Sequence, residues 1–242
     1  MAENNLIATV SGGLLKTDCL KGFSGFTLAE VLITLVIIGV IAAMTIPTLI
    51  NKTNNQEYVS RLKKIYSTFA QVTNQIIAEN GTPDNWNLKG TGSYNEASEK
   101  FGKLYQKYLS NAKQCTASQR GCFPASNGVY KDWKGNDISF IHDNISYYRL
   151  ILSDGAAVIF DGNIHDDCNS GSGIGQCGYF TVDVNGSKGP NIVGRDTFVF
   201  LLTKDGLRPC GYNNNGVSPT TACNNLGTNC TWKVLLENAM NY

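Results

Sequence analysis

Gly25-Phe26-Thr27-Leu28-Ala29-Glu30 stands directly before Val31-Leu32-Ile33-Thr34-Leu35-Val36-Ile37-Ile38 and an apolar run that reaches Ile50. From Val31 to Ile50 twenty residues pass without a charge. At about 1.5 Å per residue, a helix of that length crosses a hydrocarbon core of roughly 30 Å. One acid, Glu30, lies at its start. An acidic side chain costs about 2.5–3.5 kcal/mol within a bilayer on insertion scales, and such residues mark function. A secretory signal peptide has a shorter apolar core and a small-x-small cleavage site, so this run is too long for one. A plain signal anchor shares its length and polarity and stays open as an alternative.

The glycine, the aromatic residue after it and the acid four residues further on form a pattern with one register. Gly22-Phe23 is also a Gly-Phe pair, but Thr27 stands four residues beyond Phe23, so only Gly25-Phe26 fits. The pattern resembles the class III signal of type IV prepilins and type II secretion pseudopilins. Gly39 inside the run and Pro47 near its end agree with that family. The resemblance implies cleavage by prepilin peptidase between Gly25 and Phe26 and methylation of the new N-terminus. It also implies an assembly role for Glu30, pairing with the Phe26 amine of a neighbouring subunit. The leader is long, at 25 residues, with Lys21-Gly22-Phe23-Ser24 where many pilins carry basic residues beside the glycine.

Basic residues do not orient the span by themselves. Lys16 and Lys21 precede it, while Lys52, Arg61, Lys63 and Lys64 follow it. The peptidase signal and the cysteines place the N-terminus inside and the rest of the chain outside the bacterial cytoplasmic membrane, and then in a pilus or pseudopilus.

The 242 residues leave room for one moderate globular domain after leader and span. A net charge of +1 argues against a strong pull on nucleic acid or acidic lipid. Charged residues make up 16%, below the usual share of about 25%, and glycine is abundant, as in a turn-rich exported β domain. Cys19 lies in the leader; Cys115, Cys122, Cys168, Cys177, Cys210, Cys223 and Cys230 remain. None forms C-x-x-C, and disulfides are their natural state in an oxidising compartment. Cys115–Cys122 and Cys168–Cys177 close short loops. The last three supply one more bridge, Cys210–Cys223, Cys210–Cys230 or Cys223–Cys230, and one thiol stays free or pairs between chains.

Pro47 removes a backbone donor, so a kink is expected there, with the helix resuming after Asn51. Val59, Leu62, Ile65, Tyr66, Phe69, Val72, Ile76 and Ile77 then recur at helical spacing, with Arg61, Lys63, Lys64 and Gln71 between them. Asn80-Gly81, with Pro83 beyond, ends the helix. Residues 26–80 thus make a spine of roughly 80 Å, apolar all round to Ile50 and on one side only thereafter. The first half has no domain of its own to cover it and needs lipid or the same segment of other subunits.

Residues 84–127 read as a connector with one helix over Ala97–Leu109. Strands are expected at Gly128–Trp133, Ile138–His142, Tyr147–Leu152, Ala156–Asp161, Tyr179–Val184 and Thr197–Leu202, as an antiparallel sheet of four to six strands on the helix. Trp232, Leu235, Leu236 and Ala239 indicate a closing helix. The expected class is α+β and pilin-like, divided into leader 1–25, assembly helix 26–50, amphipathic continuation 51–80 and extracytoplasmic domain 81–242.

Asp183, Asn185 and Asp196 could offer hard oxygens to calcium, an ion that some pseudopilins bind, although Asx-Gly pairs also make ordinary turns. The acidic loop Asp161–Asp167 contains His165 but not the spacing of an EF-hand. Tyr130-Lys131-Asp132-Trp133-Lys134 is the best basic-aromatic patch, but an acid interrupts it, so a nucleic-acid partner is not expected. No nucleophile elbow, phosphate loop or HExxH is present, and no catalysis is expected. The expected role is a structural filament subunit, with other subunits, prepilin peptidase, assembly machinery and membrane lipid as partners. An uncleaved signal-anchored periplasmic binding domain and an adhesin-like tip subunit are the alternatives.

Overall fold

The computed structural model describes residues 25–90, 92–124, 129–138, 147–169, 175–186, 188–212, 223 and 226–240. Helix α1 runs from Leu28 to Asn80. The expected interruption between Pro47 and Asn51 is absent, and the helix continues through both residues. Proline deletes one backbone donor there, and the bonds of the flanking turns carry the helix past it. Gly81, at φ +79°, donates its N–H to the Ile77 carbonyl and ends α1 in the left-handed conformation that glycine adopts without strain.

Residues 49–242 form one compact unit, and the chain before Leu49 forms another. Within the larger unit, α1 buries Tyr58, Val59, Leu62, Ile65, Phe69, Val72, Thr73 and Ile76, while Tyr66 and Ile77 are half-covered. This is the stripe that the three- and four-residue spacing defines.

Helix α2 spans Tyr94–Tyr108, starting three residues earlier than expected. The strands are β1 (Lys113–Gln114), β2 (Arg149–Ile151), β3 (Ala157–Phe160), β4 (Gln176–Asp183), β5 (Thr197–Thr203) and β6 (Gly206–Pro209). They form one antiparallel sheet in chain order. Each strand pairs with its sequence neighbour, so the sheet needs no crossover. Strands β1 and β6 were not anticipated. Of the expected strand at Gly128–Trp133, Gly128 lies outside the described residues, and Lys131 makes only isolated bridges to Asp137 and Ile192. Residues 139–142 of the expected Ile138–His142 strand also lie outside the described residues.

Strand residues alternate between two cores, as the two-residue period requires. Leu150, Val158, Phe160, Phe180, Val182, Phe198, Phe200 and Leu202 join the core beneath α1 and α2. Its centre is aromatic: Phe180 lies 4.8 Å from Phe69, 5.5 Å from Phe160 and 5.6 Å from Phe200, measured between ring centroids. Ser98 fixes α2 to the sheet, donating to the Phe160 carbonyl at 2.7 Å and accepting the Tyr148 N–H at 2.7 Å. On the other face Ala157 and Ile159 meet Phe123, Tyr130, Ile138 and Val193 in a smaller core.

Helix α3, Cys230–Glu237, closes on β5, where the Thr231 hydroxyl accepts the Val199 N–H at 3.1 Å. It contains Trp232, Leu235 and Leu236, but Ala239 falls beyond its end because Asn238 turns left-handed at φ +56°.

Candidate assembly and processing segment

Gly25, Phe26 and Thr27 precede α1 without regular structure and are exposed. The Gly25–Phe26 bond is therefore outside the helix, and a side chain added at Gly25 would meet nothing within 4 Å. An extended, accessible peptide is what a protease needs.

Thr27 and Glu30 close the start of the helix. The Glu30 carboxylate Oε2 accepts the Thr27 N–H and the Thr27 hydroxyl, each at 2.8 Å, and the Thr27 Oγ1 accepts the Glu30 N–H at 3.2 Å. This is a capping box, in which two otherwise unpaired backbone donors are satisfied reciprocally. The acid also complements the positive end of the helix dipole. The sequence reading missed this bond pattern, although Thr-x-x-Glu ahead of an apolar run is its signature.

From Phe26 to Ile50 the side chains are exposed apart from a partly covered Ala42. Phe26 is 88% accessible, Leu28 80% and Met44 73%. The segment is long and apolar enough to cross a membrane. Thr34 and Thr45 donate their hydroxyls to the carbonyls of Val31 and Ile41, which hides both polar groups within the helix. A side chain at Gly39 would meet nothing within 4 Å. Pro47 leaves the Ala43 carbonyl without its helical donor.

The domain is stapled at three places. Cys115 is joined to Cys122, Cys168 to Cys177, and Cys223 to Cys230. These bonds tie the turn after β1, the loop entering β4 and the start of α3. Cys210 is the free cysteine among the described residues; its thiol donates to Asn229 Oδ1 at 3.3 Å, and burial pushes its pKa up to about 11. Such a thiol is a poor nucleophile at neutral pH.

Asp183 and Asp196 are fully buried on the back of the sheet. Asp183 accepts the Tyr130 hydroxyl at 2.8 Å and the Asn185 N–H at 3.1 Å. Asp196 accepts the Asn191 and Ile192 N–H groups, each at 2.8 Å. Burial, and secondly the Asp196 charge, push the Asp183 carboxyl well above the usual range, and burial raises that of Asp196. Asn185 donates its side-chain amide to the carbonyls of Lys188 and Gly189. The buried side-chain oxygens of Asn185 and Asn191 have no hydrogen-bond partner. Calcium takes six to eight oxygens. Two carboxylates whose four oxygens already hold protein donors fit it poorly, and among the described residues no three His, Cys, Asp or Glu side chains gather as a metal site. The set reads as a hydrogen-bonded turn.

The acidic loop is also used locally. Asp161 accepts the Asn163 N–H at 2.6 Å, Asp166 the Lys89 N–H at 3.0 Å and Asp167 the Asn169 N–H at 3.2 Å, while the His165 N–H goes to the Cys177 carbonyl.

Residues 20–46 match the prokaryotic N-terminal methylation motif. The chain therefore carries a class III signal of the type IV prepilin and pseudopilin kind. Together with the long N-terminal helix and the antiparallel sheet, this makes the architecture α+β and pilin-like. Residues 48–122 match a second family, described as a family of unknown function (DUF6613). No curated protein and no solved structure matches the chain.

Proposed function

We propose that this chain is a structural subunit of a type IV pilus-like or type II secretion pseudopilus filament. Prepilin peptidase cuts after Gly25, Phe26 is methylated, and the mature subunit waits in the bacterial cytoplasmic membrane with residues 81–242 outside. Residues 26–50 hold it in lipid and then pack against the same segment of other subunits, and 51–80 carry the domain. Glu30 meets the amine of a neighbour's Phe26, since a charge moved into an apolar filament core is costly without a partner. The chain is the substrate of an enzyme in this reading, and acts through assembly.

The observation that carries the proposal is the exposed, uncharged run Val31–Ile50 behind Glu30, overlapping the methylation motif at residues 20–46. Mass spectrometry of the mature N-terminus, from native membrane or sheared filaments, tests it. N-methylated Phe26 is the expected result. An intact Met1 leader in cells with active prepilin peptidase would overturn the proposal and leave a signal-anchored extracytoplasmic domain.

A further inference from the structure

A cleft of about 230 Å³ lies between Asn51, Asn55, Trp133, Arg195 and Met240. It is smaller than the usual small-molecule pocket of about 300–1,000 Å³, so it suits a compact group. Two of these residues each hold a buried polar atom that lacks a partner. Arg195 Nε, a buried donor, has no acceptor, and Asn55 Oδ1, a buried acceptor, has no donor. Arg195 uses Nη2 on Asn51 Oδ1, at 3.4 Å. A buried polar group without a partner is costly, so the pair asks for a ligand that carries both an acceptor and a donor.

Position along the chain narrows the choice. Asn51 directly follows the apolar run that ends at Ile50, and Asn55 comes one helical turn later. At about 1.5 Å per residue, both lie within roughly 8 Å of the end of the run, the depth of the headgroup layer on one side of a bilayer. Trp133, 39% exposed, has the amphipathic character found at that level. Lys52 is exposed on the same turn of α1. The facing acid is Asp196, whose two oxygens are held by backbone N–H groups and whose charge partly offsets that of Arg195. Tyr58 is also within reach of both charges.

We infer that this cleft binds the headgroup of a zwitterionic aminophospholipid in the outer leaflet of the cytoplasmic membrane. The phosphate accepts from Arg195 Nε, and the ammonium donates to Asn55 Oδ1. A choline headgroup has the phosphate but no N–H to give, and free phosphate lacks the ammonium. The inference rests on the membrane-inserted state of the proposed subunit. It gives that state a specific lipid contact, which the subunit must release when it leaves the membrane for a filament.

The test is native mass spectrometry of the protein purified in mild detergent from cells with active prepilin peptidase, titrated separately with phosphatidylethanolamine, phosphatidylcholine and inorganic phosphate. Phosphatidylethanolamine is expected to bind roughly tenfold more tightly than phosphatidylcholine, on the scale of one charge-assisted hydrogen bond. Arg195→Gln and Asn55→Leu are each expected to remove that preference, whereas Arg120→Gln, which deletes an exposed cation elsewhere, keeps it. Asn55 is half-buried and outside both hydrophobic cores, so its variant reads the site even if Arg195→Gln unfolds. Equal binding of the two lipids, equal binding of inorganic phosphate, or a preference that survives both variants would overturn the inference. So would a second copy of the chain occupying the cleft, seen as a dimer lost in Arg195→Gln. The N-terminus read in the same spectra separates this from the filament proposal: methylated Phe26 without lipid preference sinks only the headgroup site, and an intact leader with that preference sinks only the filament.

Discussion

Thr27 and Glu30 hold each other at the first turn of α1, with the carboxylate accepting two bonds at 2.8 Å and the threonine hydroxyl returning one at 3.2 Å. The charge proposed to pair with a neighbour's amine therefore already has a partner within its own chain. The box keeps the acid satisfied within its own chain, so under the proposed assembly an incoming amine competes with it.

Capping and charge can be separated by substitution. Glu30→Gln keeps an acceptor for Thr27 and removes the charge. It is expected to be cleaved after Gly25 yet to lower sheared-filament yield by roughly tenfold or more, since an ion pair in an apolar core fails when one member is lost. Thr27→Ala keeps the charge and gives up the cap, worth about 0.5–2 kcal/mol of helix stability, and is expected to retain filaments. Loss of filaments in Thr27→Ala with full yield in Glu30→Gln would assign Glu30 a capping role only.

Thiol counting reports both the disulfides and the processing. With three disulfides formed, the cleaved chain carries one free thiol, Cys210, while a chain that keeps its leader also carries Cys19. Denaturing alkylation without reductant is expected to add one label to the mature protein. Native alkylation at neutral pH is expected to be slow, because burial holds the Cys210 thiol protonated. Fast native labelling would contradict a Cys210 thiol held protonated.

Phe180 sits between α1 and the centre of the sheet, in contact with rings from Phe69, Phe160 and Phe200. Phe180→Ala is expected to destabilise the domain by about 3–5 kcal/mol, as for other large-to-small aromatic truncations in a closed core. A shift in urea midpoint at unchanged slope is the measurement, and a change below about 1 kcal/mol would show that the core collapses around the gap.

The buried aspartates give a pH dependence of definite sign. A carboxyl with a folded pKa above its unfolded value binds its proton more tightly when folded, so stability falls as pH rises through the interval between the two. Asp161, Asp183 and Asp196 all shift this way. The domain is expected to lose stability as pH climbs above the ordinary aspartate range of about 4, and Asp183→Asn is expected to flatten that slope. Urea midpoints at about pH 5 and about pH 8 for both proteins check this. Calcium is expected to leave the midpoint unchanged. A stabilisation above roughly 1 kcal/mol would show a cation displacing the donors on Asp183 and Asp196.

Both halves of α1 are legible in the sequence because absence of charge and helical spacing are local properties. Val59, Leu62, Ile65, Phe69, Val72 and Ile76 mark the buried stripe in sequence as they do in space. Strands β2 to β5 lie in stretches whose alternation and β-branched or aromatic content mark them in the sequence. The capping box is legible too, since Thr27 and Glu30 stand at the Thr-x-x-Glu spacing, where the acid serves both as a charge and as a backbone acceptor.

The order of residue types is enough to specify a membrane-length apolar helix with one acid at its head, an amphipathic continuation and a strand-rich domain. The remaining features arise from contacts between segments distant in the chain. Strand β1 has two residues, too few to carry a period, and β6 is Gly-Leu-Arg-Pro, poor in the residue types that favour strands; both form along the edges that β2 and β5 offer. Three cysteines near the C-terminus allowed three bridges; the selection of Cys223–Cys230 depends on Cα atoms brought to 4.4 Å, a distance that sequence spacing does not set. The Arg195–Asn55 cleft joins residues 140 positions apart, so its unpaired donor and acceptor become visible only when the turn before β5 folds against the start of the amphipathic helix.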